Sequence, residues 1–209
     1  MFITLEGIEG SGKSTLAAGL ADMLRRGGHD VLLTREPGGS DLGRKIRPLL
    51  LSVTEKPCPE AELFLFLADR AQHVKEVILP ALRQGRFVIC DRFVDSTTAY
   101  QGAGRGMDIR DLGSLNSMAV ASCMPDITLI PDLPAEVGLA RACRRNSAEG
   151  LTAGEGRFEA EELAFHERIR QGFRDIAAGS PQRVVLLDGT LAPAELLAAA
   201  FGEIVKRMR

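Results

Sequence analysis

Five short, mainly apolar runs recur along the chain, at Phe2–Leu5, Val31–Leu33, Phe87–Cys90, Ile127–Ile130 and Val184–Leu187, each followed by a glycine, acid or turn and then a helical pattern. Runs that are continuous rather than alternating suit strands buried on both faces, so the pattern predicts a parallel sheet covered by helices, an α/β fold. Behind the first run, Leu16, Leu20, Met23 and Leu24 keep helical spacing until Gly27 and Gly28 stop it. The longest helical pattern, EAELFLFLADRAQHVKEVILPALRQG, carries Leu63, Phe66, Leu67, Arg70, Val74, Val77 and Ile78 before Gly85. Pro80 is expected to bend or shorten its last turns. From Arg141 to Glu162 the chain is rich in glycine and charge and poor in apolar residues, which predicts an exposed, mobile segment and a candidate lid over approximately 142–160. A length of 209 residues suits one domain over 1–209 with such an insert.

Composition narrows the partners. With 26 basic against 28 acidic residues the net charge is −2, which offers no general attraction to a nucleic-acid backbone, so no polymeric nucleic-acid partner is expected. The four cysteines form no CxxC pair and the three histidines no spaced ligand set, which suits a reduced, cytoplasmic protein without structural zinc. No basic flank and apolar stretch opens the chain, and no window approaches the roughly 20 apolar residues that span a bilayer. The expectation is a soluble, unexported protein with no membrane partner.

The first turn after the first predicted strand carries the strongest chemistry. Gly7-Ile8-Glu9-Gly10-Ser11-Gly12-Lys13-Ser14, with Thr15 next, fits G-x-x-x-x-G-K-[ST], where glycines let backbone N–H groups point at phosphate oxygens. Lys13 would place a charge on the terminal phosphates of a nucleoside triphosphate, and Ser14 a hydroxyl on magnesium. At the end of the third strand, Asp91 can orient magnesium's water shell and Arg92 can reach a phosphate. Thr34-Arg35-Glu36-Pro37-Gly38-Gly39-Ser40 follows the second strand, giving Arg35 as another cation that Glu36 could hold in place. Clustered arginines without a catalytic histidine match phosphoryl transfer, which needs charge neutralisation and in-line positioning more than a base. Phe66 and Arg70 share a helix face and suit a nucleobase, by stacking and hydrogen bonding respectively. Thr97, Tyr100 and Gln101 lie in a stretch whose polar groups could read base edges while the ring closes space beside a sugar.

GIEGSGKS, TREPGGS, LFLFLADR, DRF and DSTTAYQGAGRG, in this order and spacing, resemble the bacterial thymidylate kinase family across nearly the whole chain. The resemblance implies magnesium-dependent transfer of the terminal phosphate of ATP to dTMP, on a P-loop NTPase fold with a five-stranded parallel sheet, as a homodimer. It gives ATP to the loop from Gly7 to Thr15, the metal to Ser14 and Asp91, and the dTMP phosphate to Arg35 and Arg92. It gives thymine to Phe66 and Arg70, and the surroundings of base and sugar to Thr97 and Gln101. Tyr100 would disfavour a ribose 2′-hydroxyl, and Glu9 would approach the 3′-hydroxyl. Some members carry an arginine in the phosphate loop where this chain has Gly10; here the lid arginines Arg144, Arg145 and Arg157 are candidates, Arg157 foremost because GRFE resembles the family's lid motif.

Two other readings share parts of this pattern. A kinase for another nucleoside monophosphate would keep the loop and arginines, and a non-catalytic nucleotide-binding module would be expected to have lost Lys13, Arg35 or Asp91, all of which are present. A GTP switch would need N-K-x-D, which is absent from the sequence. Pro131 is expected to mark the end of the fourth strand, and Asp188-Gly189-Thr190 is the candidate lining of the adenine pocket.

Overall fold

The computed structural model describes residues 1–54, 56–148 and 156–208. Along the chain, β1 (Phe2–Leu5) leads to α1 (Lys13–Arg26), β2 (Val31–Arg35) to α2 (Asp41–Leu51), and α3 (Pro59–His73) follows. A π-helical turn at Val74–Ile78 joins α3 to α4 (Leu79–Arg83), so the long helical stretch widens ahead of Pro80 and runs on through it. Next come β3 (Phe87–Asp91), α5 (Val94–Thr97), a π-helical segment Thr98–Gly104 and α6 (Ile109–Val120). The chain continues through β4 (Ile127–Asp132), α7 (Ala135–Ala148), α8 (Leu163–Gly179), β5 (Val184–Asp188) and α9 (Pro193–Met208). The expected lid over 142–160 includes residues 149–155, which lie outside the described residues.

All five strands run parallel in the order β2-β3-β1-β4-β5, as the continuous apolar runs predict. Alternate residues face opposite layers: Ile3 and Leu5 sit under α1 and α9 with Leu20, Leu24 and Ile204, while Phe2 packs on the other side with Ile78, Val88 and Phe93. Each of these side chains is essentially without solvent contact, and burial of this kind is worth about 1.5–3 kcal/mol per large residue.

Register places the chemistry. Asp91 pairs with Leu5 on one side and Arg35 on the other, so the phosphate loop leaves β1 beside the strand ends carrying both side chains. That carboxyl edge is where open parallel sheets bind ligands. One expectation is corrected: Pro131 lies within β4, which continues to Asp132. The Thr128 N–H points to β5, so alternation turns position 131 toward β1, and β1 has already stopped at Leu5. The missing proline N–H therefore removes no ladder bond.

Candidate active site

The loop after β1 turns through three left-handed glycines, Gly7 at φ 132°, Gly10 at 68° and Gly12 at 90°. It delivers the chain into α1, whose N-cap is Gly12 and whose first turn holds no acid. The unpaired N–H groups and positive end of that helix are thus left for an anion. Gly10 also sits against α7, where any Cβ at this position would overlap the Gly138 carbonyl, and a Cβ on Gly138 would come within 2.6 Å of the Glu9 carbonyl.

Lys13 is buried, and its ammonium donates to the carbonyls of Gly7 (2.9 Å) and Ile8 (2.7 Å) and to Ser11 Oγ (3.2 Å). Burial and the neighbouring Arg92 charge bring its pKa down to about 8, against the pull of Asp91, Glu9 and Glu6. The Ser14 hydroxyl donates to Asp91 Oδ2 at 2.6 Å, placing a hydroxyl and a carboxylate together at the loop's mouth. Two adjacent hard oxygens fit the magnesium that accompanies ATP.

Arg92 follows at φ 72°, a strained conformation that turns its side chain back over the loop. Its guanidinium donates to Gly7 O (3.1 Å), Ser96 Oγ (3.2 Å) and Glu9 Oε1 (2.9 Å), and lies 4.8 Å from the Tyr100 ring centre. Glu9 also accepts from the Tyr100 hydroxyl at 2.5 Å and has His166 Nδ1 3.3 Å from its other oxygen. Burial raises the Glu9 carboxyl, but His166, Arg92 and Lys13 outweigh it and bring its pKa to about 2. Beneath lies Glu6, which accepts from the Phe93 N–H (2.7 Å) and from the Ser96 N–H and hydroxyl. Burial and the nearby Asp95 raise Glu6 to about 7.

These groups open into a cavity of about 530 Å³. Glu9, Gly10, Gly12, Lys13, Ser14, Thr15, Arg35, Asp91 and Arg92 line it, and so do Phe66, Arg70, Thr97, Tyr100 and Gln101. Gly7, Ile8 and Ser11 do not line it; they hold Lys13 from behind. Arg35 is exposed and has no ion-pair or hydrogen-bond partner among the described residues, which leaves its guanidinium for a ligand. The expectation that Glu36 steadies Arg35 is corrected. Glu36 is buried and holds Arg70 (Nε to Oε2, 2.8 Å) and His73 (Nδ1 to Oε1, 2.9 Å) instead, because β2 sends successive side chains to opposite faces.

Arg70 is more heavily committed than its place on a helix face suggests. Besides Glu36 it donates to Thr97 Oγ1 (2.6 Å), Asn116 Oδ1 (2.8 Å) and Phe93 O (2.8 Å), which leaves one of its five N–H groups for a base. Phe66 is half-buried, with its ring centre 6.4 Å from Phe158, and Phe158 meets Tyr100 edge-on at 5.4 Å. Three rings thus border the cavity, an apolar wall suited to a flat base. Phe158 escaped the sequence reading although GRFE contains it, because a single phenylalanine in a glycine-rich stretch carries no periodicity.

The three arginines expected in a lid separate. Arg145 lines the cavity, 3.4 Å from Glu159, while Arg144 is exposed and donates to Ala140 O on its own helix. Arg157, expected to reach the transferring phosphoryl group, is buried elsewhere, paired with Glu62 and donating to Leu50 O at 3.1 Å. The structure does not bring it to the phosphate loop. Asp188-Gly189-Thr190 is also not part of the cavity; Asp188 caps the Thr190 N–H and Gly189 O accepts from Arg141.

Among the described residues, Glu36, His73 and Cys90 bring three metal-ligand groups together. Each is already engaged: His73 bonds Glu36 and Thr34, Arg70 bonds Glu36, and Cys90 donates to Arg92 O. The trio is a hydrogen-bonded support for Arg70.

Comparisons with known proteins agree on one relationship. The family model described as Thymidylate kinase matches residues 5–199. The curated Thymidylate kinase of Desulfovibrio desulfuricans is 55% identical, covering 94% of this chain and 91% of that protein. That of Nitratidesulfovibrio vulgaris is 53% identical, covering 100% and 96%. A crystal structure of thymidylate kinase from Ehrlichia chaffeensis superposes with a TM-score of 0.76 at 35% identity, covering 100% of this chain and 98% of that one.

Proposed function

Because the chain belongs to the thymidylate kinase family and is, with it, an ATP:dTMP phosphotransferase of the P-loop fold, we propose a division of labour among its own residues. The observation that carries it is the single cavity shared by the phosphate loop with Ser14 and Asp91, and by the wall of Phe66, Tyr100 and Phe158.

The loop amides that face the cavity, from Glu9, Gly10 and Gly12 to Thr15, and the Lys13 ammonium bind the ATP phosphates, and Ser14 and Asp91 would hold the magnesium ion, which would supply charge neutralisation on those phosphates. Arg35, whose guanidinium has no partner among the described residues, and Arg92 grip the dTMP phosphate. An oxygen of that phosphate bonds to the γ-phosphorus as the bond from this phosphorus to the β–γ bridging oxygen breaks, yielding ADP and dTDP. The acceptor is already an anion, so no side chain has to remove a proton. Thymine lies between the rings, Arg70 gives its remaining N–H to a base carbonyl, and Thr97 holds Arg70 at that angle. Gln101 reads the base edge, and Tyr100, fixed through its hydroxyl to Glu9, leaves no room for a 2′-hydroxyl.

The segment near 142–160 acts as the lid of a single domain, and its cation at the transferring group is Arg145, which borders the cavity where Arg157 does not. Arg157 is its anchor. No helix among the described residues is long and apolar enough to cross a membrane, and the reaction is assigned to the cytoplasm, which holds ATP. The chain acts as a homodimer through α3 and α6, which pack together and leave Phe64 59% and Met118 81% exposed beside Ala68, Ala71, Gly113 and Ser117. So apolar a pair of helix faces, uncharged at its centre, suits an isologous contact.

The test is ADP release from ATP and magnesium with dTMP, dUMP, UMP, AMP or no acceptor in parallel. Strong preference for dTMP is expected. Equal turnover of UMP would remove the role given to Tyr100, and equal turnover of AMP the base pocket.

A further inference from the structure

Glu62 touches no part of the phosphate machinery, yet it is a fully buried carboxylate at the junction of three segments. From α3 its Oε1 accepts from Gln101 Nε2 at 2.7 Å. Its Oε2 accepts from Arg105 at 3.3 Å and from Arg157, whose own neighbour is the wall residue Phe158. Arg105 is held in turn by Glu161 at 2.8 Å.

The chemistry of this contact fixes a direction. A carboxylate only accepts, so the amide nitrogen of Gln101 has to face Glu62 and the carbonyl oxygen has to face away. Gln101 lines the cavity, and its Oε1 receives no donor from the described residues. An oxygen so placed accepts from a base that carries N3–H, as thymine and uracil do. Arg70's remaining N–H asks for a carbonyl beside it, which the same bases supply at C4. Cytosine presents a bare nitrogen to the oxygen and an amino group to the guanidinium, and is refused twice.

We propose that Glu62 is a specificity-setting positioning residue: by fixing the polarity of the Gln101 amide and anchoring Arg157 beside the aromatic wall, it makes the site select acceptors with an N3–H edge. The proposal rests on the base-reading role given to Gln101 above. It makes Glu62 responsible for separating dTMP from dCMP, and indifferent to the difference between dTMP and dUMP.

The experiment measures kcat/KM for dTMP, dUMP and dCMP in wild type, Glu62→Gln and Gln101→Met. Glutamine at 62 keeps the length but offers an N–H₂, which lets the Gln101 amide reverse. In Glu62→Gln the preference for dTMP over dCMP is expected to fall about 10-fold or more, through the acceptor KM, with dUMP following dTMP and the KM for ATP unchanged. A variant that loses thermal stability while holding the dTMP to dCMP ratio would overturn the proposal and leave Glu62 a structural ion-pair partner. Unchanged preference in Gln101→Met would instead overturn the base-reading role, and the proposal with it. Should Glu62→Gln fail to fold, side-chain amide NMR on the wild type decides. The Gln101 N–H₂ pair, assigned by its loss in Gln101→Met, is expected to stay protected from exchange with and without dTMP, whereas loss of protection on dTMP binding would show that the amide turns and would refute the fixed polarity.

Discussion

Glu6 and Glu9 lie three residues apart, and their surroundings push them in opposite directions. Glu9, lowered to about 2 from the usual 4.5, adds stability that is full above pH 4.5 and is lost as pH falls from there through 2. Glu6, raised to about 7, holds its proton longer when folded, so its charge costs stability as pH rises from 4.5 through 7. Urea unfolding should therefore show Glu9→Gln losing most at pH 5.5 to 6, with the deficit shrinking toward pH 3.5, whereas Glu6→Gln should gain on wild type as pH climbs from 5 to 8. Parallel curves for both variants would contradict the assignment. Sequence named many of these side chains but not their partners. Arg70 was legible as a candidate site residue, yet its bonds to Glu36, to Phe93 and Thr97, and to Asn116 come from three separate stretches of the chain, which no local pattern reveals. Glu62 went unread for the same reason.

Elements follow a different rule. The five strands were legible because burial on both faces makes their runs continuous, and the glycine loop because its backbone geometry restricts residue choice. The π-helical segment Thr98–Gly104 was not, since it buries tyrosine and glutamine alongside small residues and shows no apolar period. Helix α7 is tied to the loop by contact rather than by pattern. Gly138→Ala would thrust a methyl to within 2.6 Å of the Glu9 carbonyl and 2.9 Å of Ile8 Cδ1, forcing loop and helix apart. Alanine's better helix propensity returns about 1 kcal/mol, offsetting part of an overpacking cost of about 1–3 kcal/mol, so thermal stability should change little. Kinetics should change more: kcat/KM for ATP is expected to drop about 10- to 100-fold, since loop displacement of this size misplaces the phosphates. Unaltered kinetics would mean that the loop absorbs the methyl without moving.

For the whole molecule, the apolar pattern specified a five-stranded parallel sheet with helices on both faces, and the motifs specified which edge carries chemistry. It left open how the segment after α7 meets the body, because the pairing of Arg157 with Glu62 spans 95 residues. The exposed faces of α3 and α6 also became visible only when folding separated Leu63 and Leu112, which are buried, from Phe64 and Met118, which are not. Met118→Glu at the centre of that face should shift sedimentation from dimer to monomer at micromolar protein without lowering the unfolding temperature of the monomer. A dimer that persists would place the interface elsewhere.

The close approach of Gly10 to Gly138 bears on descent as well as on mechanism. A chain like this one could not place any side chain at position 10 by a single replacement, because its first atom would collide with the backbone of α7 before its chemistry could be tested by selection. The helix must first retreat, and while it does so the loop gains nothing. A glycine loop and a loop bearing a side chain at position 10 are thus separated by a valley in sequence space, crossed only by changes in loop and helix together.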